Sequence, residues 1–473
     1  MNHSHYEVLI VGAGMSGLAA GIRLSHYGKR VCIVERHDMP GGLNSFYKLN
    51  GREFDVGLHA LTNYAPPPRG EKHWPLNKLL RQLRIRPEEF ELTPQRESDV
   101  RFPGKRICFH NSLPDFCASV AAAFPAQADG FQRLVAAIPP YDKLGLGALA
   151  GSARKFLGEY LSDPVLIDML LCPVMYYGSA TRDDMDFEQF CIMFRSLFFE
   201  GFARPRRGVR QIIATLLKKY KANHGELRMK TGVRALRVEN GKVASVELDN
   251  GKTISADVIL SSAGIAETLA LCVDSKGSED KRLAAQQLAG EMTFMESIFV
   301  LDTPVEKMGH VETITFFNNS ERFSYHPPDD LIDPRSGVIC CPGNFAYEKP
   351  LDDNLVRVTS MANFERWRAL PNSAYAAAKV RCRDLAAAVA VTFMPDFRPR
   401  VTFTDTFTPL TVRRFTGHIN GAVYGAPVKR PDGRTPCENL FICGTDQGFL
   451  GIVGAMLSGI SMANAHVLAK GLE

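Results

Sequence analysis

The stretch from Tyr6 to Glu35 limits the folds open to this chain more than any other. A short apolar run, Tyr6 to Val11, leads into Gly12-Ala13-Gly14-Met15-Ser16-Gly17, and Leu18 to Tyr27 follows with the alanine, isoleucine and leucine content of a helix. Gly28 ends that helix as glycine does at a C-cap. Arg30 to Glu35, with Val31, Ile33 and Val34, supplies the next strand and completes a βαβ unit of about 30 residues. A GxGxxG sequence alone is a weak sign. With a strand before it, a helix after it and an acid at the end of the second strand, it predicts a dinucleotide site. The glycines let the backbone turn tightly against a pyrophosphate, the helix start offers unpaired N–H groups, and Glu35 can accept from ribose hydroxyls. Taken alone, Glu35 would read as an ordinary surface carboxylate.

With 473 residues there is room for a cofactor domain and a substrate domain. The balance of 56 basic against 51 acidic residues does not imply nucleic acid as a partner. Eleven cysteines occur without a CxxC pair or a His-spaced ligand cluster, so no metal site is read, and their odd number argues against a closed disulfide framework. They are expected to be reduced thiols in a cytoplasmic protein without a signal peptide. Phe449 to Ala469 carries no Asp, Glu, Lys or Arg and approaches the length of a membrane span. Its glycines, with Gly448 at the edge, favour a buried cofactor-contacting helix instead.

Further along, Asn240-Gly241 and Asn250-Gly251 are type I′ hairpin signals between apolar stretches. They predict a meander: strands near Ala235–Glu239 and Val243–Asp249, a short third near Thr253, then a separate return strand, Asp257–Ser261. Residues 61–204, with Pro66-Pro67-Pro68 and helices rich in Leu, Met and Phe, read as a substrate-facing layer. Residues 290–404 join it, with a strand over Ser297–Leu301 and a helix over Ala374–Val391.

Beyond the first unit come Glu35-Arg36, Gly41-Gly42-Leu43, Ser45-Phe46 and Phe54-Asp55-Val56-Gly57-Leu58-His59. This pattern resembles the flavoprotein superfamily that includes amine oxidases and phytoene desaturases, and looks most like its carotenoid isomerase and retinol saturase branch. One departure is Leu43, where amine oxidases commonly carry arginine. The resemblance returns at Arg206-Arg207-Gly208-Val209, through the meander to Gly264, at Thr408-Pro409-Leu410 and Gly421 to Gly425, and at Asn439 to Asp446. It implies FAD as cofactor and an α/β fold: a Rossmann-type FAD-binding domain with a parallel sheet and β-meander, interleaved with an α+β substrate domain. The cofactor domain is expected at 1–60, 205–289 and 405–473. Candidate FAD residues are Gly12, Gly14, Ser16, Gly17, Glu35, Arg36, Gly41, Gly42, Leu43, Val233 and Gly264, with Gly444, Asp446, Gly451, Val453 and Gly454 from the C-terminal motif. By resemblance Asp446 faces the ribityl and phosphate region. Its plainer reading is an Asx turn or helix cap.

Without a second GxGxxG, no resident nicotinamide is expected, and electrons pass to or from oxygen, a quinone or another external partner. His59 is the acid–base candidate, against the plainer reading of a structural histidine. Phe194, Phe198 and Tyr424 are candidate substrate-wall residues. The cluster from Phe190 to Phe202, followed by Arg204, Arg206, Arg207 and Arg210, reads as a peripheral contact with the cytoplasmic membrane face or the mouth of a lipid tunnel. A buried helix with a basic edge is the alternative. The expected function is desaturation, saturation or isomerisation of a long apolar polyene, isoprenoid or other lipid by hydride transfer at flavin N5. An amine-oxidase-type enzyme with a polar substrate, or a non-catalytic flavin-binding scaffold, are the competing readings.

Overall fold

A computed structural model describes residues 4–65, 74–144, 151–274 and 279–469. The Pro66-Pro67-Pro68 loop lies outside them. Five strands form a parallel sheet in the spatial order Glu226–Arg228, Val31–Val34, Ser4–Val11, Thr253–Ser261, Leu440–Ile442. Strand residues alternate between the faces, and both faces are covered. Val8, Ile10, Val31 and Ile33 pack under the helices Met15–Ser25, Val209–Ala222 and Gly451–Ala463. Leu9, Val11, Cys32 and Val34 pack against the meander residues Leu236, Val243 and Val246. Burial on both sides is why these strands read as continuous apolar runs.

The meander runs Val233–Glu239, Lys242–Leu248 and then Thr253–Ser261. The expected short third strand and return strand are one. Its first residues pair antiparallel with Glu247 and Val246, and its last pair parallel with Leu440 to Ile442. Asn240 and Gly241 both have positive φ, 49° and 78°, as a type I′ turn requires. The turn at Asn250-Gly251 is a different device. Positive φ falls on Gly251 alone, at 80°, and Leu248 N–H bonds to the Lys252 carbonyl around a three-residue loop.

A seven-stranded sheet forms the second layer, in the order Val401–Phe407, Thr293–Leu301, Asn354–Ala362, Ile332–Cys340, Ile314–Asn318, Ser98–Phe102, Lys105–Phe109. It includes the whole of Val401–Phe407, past the residue-405 boundary expected from sequence. The helix Asn372–Ala390 covers one face through Ala386, Ala387 and Ala390. The other face meets a large aromatic core to which Phe116, Phe131, Phe190, Phe194 and Phe198 contribute.

Candidate functional site

A cleft of about 950 Å³ runs along the C-terminal ends of the parallel strands, where open α/β sheets bind their ligands. Of the residues singled out from sequence, Gly12, Gly14, Glu35, Arg36, Gly42, Leu43 and Val233 line it. Gly12 has φ +96°, and a Cβ on Gly14 would stand 3.1 Å from Ser262 Oγ on the opposite wall. Gly17 lies behind the wall, where a Cβ would come within 2.1 Å of the Gly12 carbonyl; its absence lets helix and loop close together. The helix Met15–Ser25 starts at Gly14 without a side-chain cap and without an acid in its first turn. Its leading N–H groups are free for an anion, which the helix dipole favours. Gly41, at φ +113°, bonds its N–H to the Ala13 carbonyl at 2.9 Å and brings Gly42 onto the cleft.

Glu35 is no surface carboxylate: it is buried, and accepts from Ala13 N–H and His37 N–H, one on each oxygen, both at 2.8 Å. Arg36 bonds the Arg414 carbonyl at 3.0 Å across the cleft mouth. His418 also lines the cleft; burial alone would lower its pKa, but the carboxylate of Glu267, 3.4 Å away, raises it above the ordinary value.

The C-terminal motif is placed otherwise. Asp446 is buried, and its oxygens accept from Ile265 N–H at 2.6 Å and Ala426 N–H at 2.7 Å. It therefore caps the helix Ile265–Leu271, whose preceding residue Gly264 has φ +96°, and does not line the cleft. It caps a helix distant in the chain and is not the N-cap residue, which is Gly264. Gly444 sits against Ser16, whose hydroxyl meets Ser262 Oγ at 2.7 Å. Gly451 stands beside Thr62 and Gly454 beside Phe449, while Val453 is fully buried. The span Gly451–Leu468 is half buried, and its helix lies on the glycine helix: a Cβ on Gly459 would come within 2.0 Å of the Ser16 carbonyl.

His59 joins the cofactor domain to the second sheet. Its Nε2 meets Glu296 Oε1 at 3.1 Å and Thr359 Oγ1 at 3.2 Å. Arg357 donates to Glu296 at 2.7 Å and to the Leu58 and Val56 carbonyls at 3.1 and 2.7 Å. Burial would push the Glu296 carboxyl up, but the Arg357 and His59 charges and the hydrogen bonds from His59 and Thr359 hold it down to about 2.

The family model described as flavin containing amine oxidoreductase matches residues 15–466. The chain belongs to that family. Among curated proteins, the flavoprotein is 22% identical to the chloroplastic prolycopene isomerase of Arabidopsis thaliana, over 99% of this chain and 84% of that one. It is 23% identical to the all-trans-retinol 13,14-reductase of Danio rerio, over 99% and 86%. To the 4,4'-diapolycopene oxygenase of a Methylomonas species it is 25% identical, over 60% of each chain. Among solved structures, an oxidoreductase from Methanosarcina mazei superposes with a TM-score of 0.68 at 18% identity, over 96% of this chain and 99% of that one.

The amine oxidoreductase fold thus takes FAD, and the cleft fits it. The Gly12–Gly14 loop and helix start would hold the pyrophosphate, Glu35 the ribose, Arg36 and Val233 the adenine end, and Gly42 and Leu43 the opposite wall. Phe194 and Phe198 lie in the aromatic core and do not line the cofactor cleft. Phe198 stacks on Phe116 with centroids 4.2 Å apart, and Phe190, Phe194 and Phe202 are fully buried in the same core. The basic edge beside them is engaged within the fold: Arg204 is buried against Asp55 and Arg206 bonds the Lys349 and Pro350 carbonyls. Tyr424 is half-buried, 5.8 Å from the Phe294 ring, with its hydroxyl on the Tyr176 carbonyl. Sequence reasoning missed Glu296, Arg357 and Ser262. The signal for the first two was a lone charge inside an apolar strand, as in Met295-Glu296-Ser297-Ile298 and Val356-Arg357-Val358.

Proposed function

We propose that this FAD oxidoreductase acts on a long apolar polyene or isoprenoid, as a desaturase, saturase or isomerase. The observation that carries the reading is similarity along nearly the whole chain to proteins named for carotenoid and retinoid chemistry. FAD supplies a two-electron acceptor or donor when bound. The chain's own part is to position and to manage protons. The uncapped start of Met15–Ser25 neutralises the pyrophosphate, and Glu35 orients the ribose. His59, held through Nε2 by Glu296 and Thr359, is the acid–base residue of this reading. Binding of an uncharged polyene rests on apolar burial, worth about 25 cal/mol per Å², and the aromatic layer around Tyr176, Phe294 and Tyr424 supports it. Delivery of the substrate from the cytoplasmic face of a membrane, and electron exchange with oxygen, a quinone or another external partner, belong to the same proposal.

Anaerobic incubation of the FAD-loaded protein with candidate polyenes tests it, with flavin absorbance and product followed together. A desaturase leaves the flavin reduced after one turnover, a saturase needs it reduced beforehand, and an isomerase returns it to its starting state. His59→Ala should lose about 10²- to 10⁴-fold in rate, as removal of a general acid or base does, and leave activity measurable. Reduction by primary amines but not by any polyene would replace this reading with an amine oxidase. No turnover of either class would leave a flavin-binding scaffold.

A further inference from the structure

Most charged side chains along the cofactor cleft are matched by a neighbour. Lys379 meets Asp405 at 3.9 Å, Lys48 meets Glu53 at 3.0 Å and His37 meets Asp38 at 3.1 Å. Glu35 accepts from backbone N–H groups, and the exposed Arg36 donates to the Arg414 carbonyl. Glu267 stands in a different position. It lies mostly buried in the cleft wall, and the group that can balance its charge is His418, whose Nδ1 is 3.4 Å from Oε1. A histidine is a cation only while protonated, so the charge on this part of the wall depends on one proton.

Backbone contacts hold the pair together. The helix Pro409–Thr416 ends at Gly417, whose φ of +82° turns the chain, and a Cβ there would come within 2.7 Å of Arg36 Nη1. His418 follows at once, with its N–H on Thr416 Oγ1 at 3.2 Å, and Ile419 N–H donates to Glu267 Oε1 at 2.7 Å. The charged groups facing His418 are Glu267 from the helix Ile265–Leu271, Asp446 from the turn Thr445–Gln447 and Arg36 from the end of Val31–Val34. Burial and the Arg36 charge oppose the His418 proton, while the Glu267 hydrogen bond and the two carboxylate charges favour it and win.

FAD brings a pyrophosphate that is ionised on both phosphates into this same cleft. While His418 is protonated, the Glu267–His418 pair presents no net charge to it. Once that proton leaves, Glu267 is an uncompensated carboxylate in the cleft, and like charges repel strongly where water is scarce. Linkage then requires that FAD favours the proton on His418 and that the proton favours FAD.

We infer that the Glu267–His418 pair is a proton-dependent clasp for FAD, which holds the cofactor tightly while His418 is an imidazolium and loosens when that proton leaves. The inference rests on the FAD cleft and is independent of the polyene reading.

The test is equilibrium FAD binding by the loaded protein, read as flavin retained on ultrafiltration at constant ionic strength. It runs from about pH 6 to about pH 9, which brackets an imidazole raised above its ordinary ~6.5. Because bound FAD raises the His418 pKa further, affinity is full below the value of the FAD-free protein and falls as pH rises through it. The wild-type dissociation constant should rise at least tenfold over the range. His418→Gln should bind at least tenfold more weakly than the wild type at pH 6, with no slope, and His418→Arg, which keeps the charge, should bind tightly at every pH. Removing both charges, with Glu267→Gln in the His418→Gln background, should recover most of the lost affinity. His37→Gln should keep the wild-type slope. A flat wild-type profile, a wild-type slope in His418→Gln or His418→Arg, or loss of the slope in His37→Gln overturns the inference and leaves the cleft assignment standing. Absence of FAD binding at every pH overturns both.

Discussion

Glu200 and Glu296 are both buried, and their surroundings move them in opposite directions. Glu200 ends the π-helical turn Arg195–Glu200, where Tyr141 and Asn63 donate to it. Burial raises its pKa from 4.5 to about 7, even though the Tyr141 and Asn63 hydrogen bonds and Arg195 pull it down. A carboxyl raised on folding favours the protonated folded state, so its contribution to stability is full below about pH 4.5 and is lost as pH rises through about 7. Glu200→Gln should flatten the fall in melting temperature between pH 5 and 8, a difference of up to about 3 kcal/mol. An unchanged slope would show that Glu200 does not titrate there. Glu296, held at about 2 chiefly by Arg357 against the effect of burial, contributes above its ordinary range and loses that contribution as pH falls toward 2. Arg357→Met strands this carboxylate without its main counter-charge and should cost about 3–5 kcal/mol at neutral pH, measured by denaturant unfolding.

At the level of elements, the helix Phe187–Phe194 with its π-helical extension is a core element. Phe198→Ala should destabilise by about 3–5 kcal/mol and leave vesicle binding at its wild-type level. A stable variant that loses vesicle binding would return the segment to the surface. Sequence could not make this distinction, because an apolar helix facing other side chains and one facing lipid carry the same residues. The glycine loop was legible because backbone geometry demands its residues: Gly12 needs φ +96° and Gly17 needs no Cβ. The hairpin turn at Asn240-Gly241 was legible for the same reason. Asn250-Gly251 is the same dipeptide, yet it sits in a loop one residue longer, set by the pairing of Leu248 with Lys252. Glu296 and Arg357 lie far apart in sequence and meet only because their strands pair in the second sheet. Asp446, in a recognisable motif, turned out to bind Ile265 and Ala426, a role that depends on loops distant in the chain.

Across the whole molecule, the cofactor cleft is assembled from the first 60 residues, both ends of the meander and the helix after it, and a segment running from Asp405 at the end of Val401–Phe407 to Ile419, with Gln286 and Lys379 beside them. Each piece reads as part of a flavoprotein, and the fold brings them to one sheet end. In the second layer, by contrast, sequence showed single elements, such as the strand over Ser297–Leu301 and the helix over Ala374–Val391, and not their arrangement; its strand order depends on long-range pairing such as Ser98–Phe102 beside Ile314–Asn318. The most direct measurement is flavin content by absorbance, before and after denaturation, for the wild type and for Gly14→Val. The cleft geometry requires that folded wild-type protein carries noncovalent FAD, or takes it up when added, and releases it on denaturation. Gly14→Val should remain folded by circular dichroism and fail to take FAD up, since its side chain would crowd Ser262 Oγ where the pyrophosphate must approach. A folded wild type that stays colourless with excess FAD, or a Gly14→Val protein that binds FAD as well as the wild type, would contradict the assignment of this cleft.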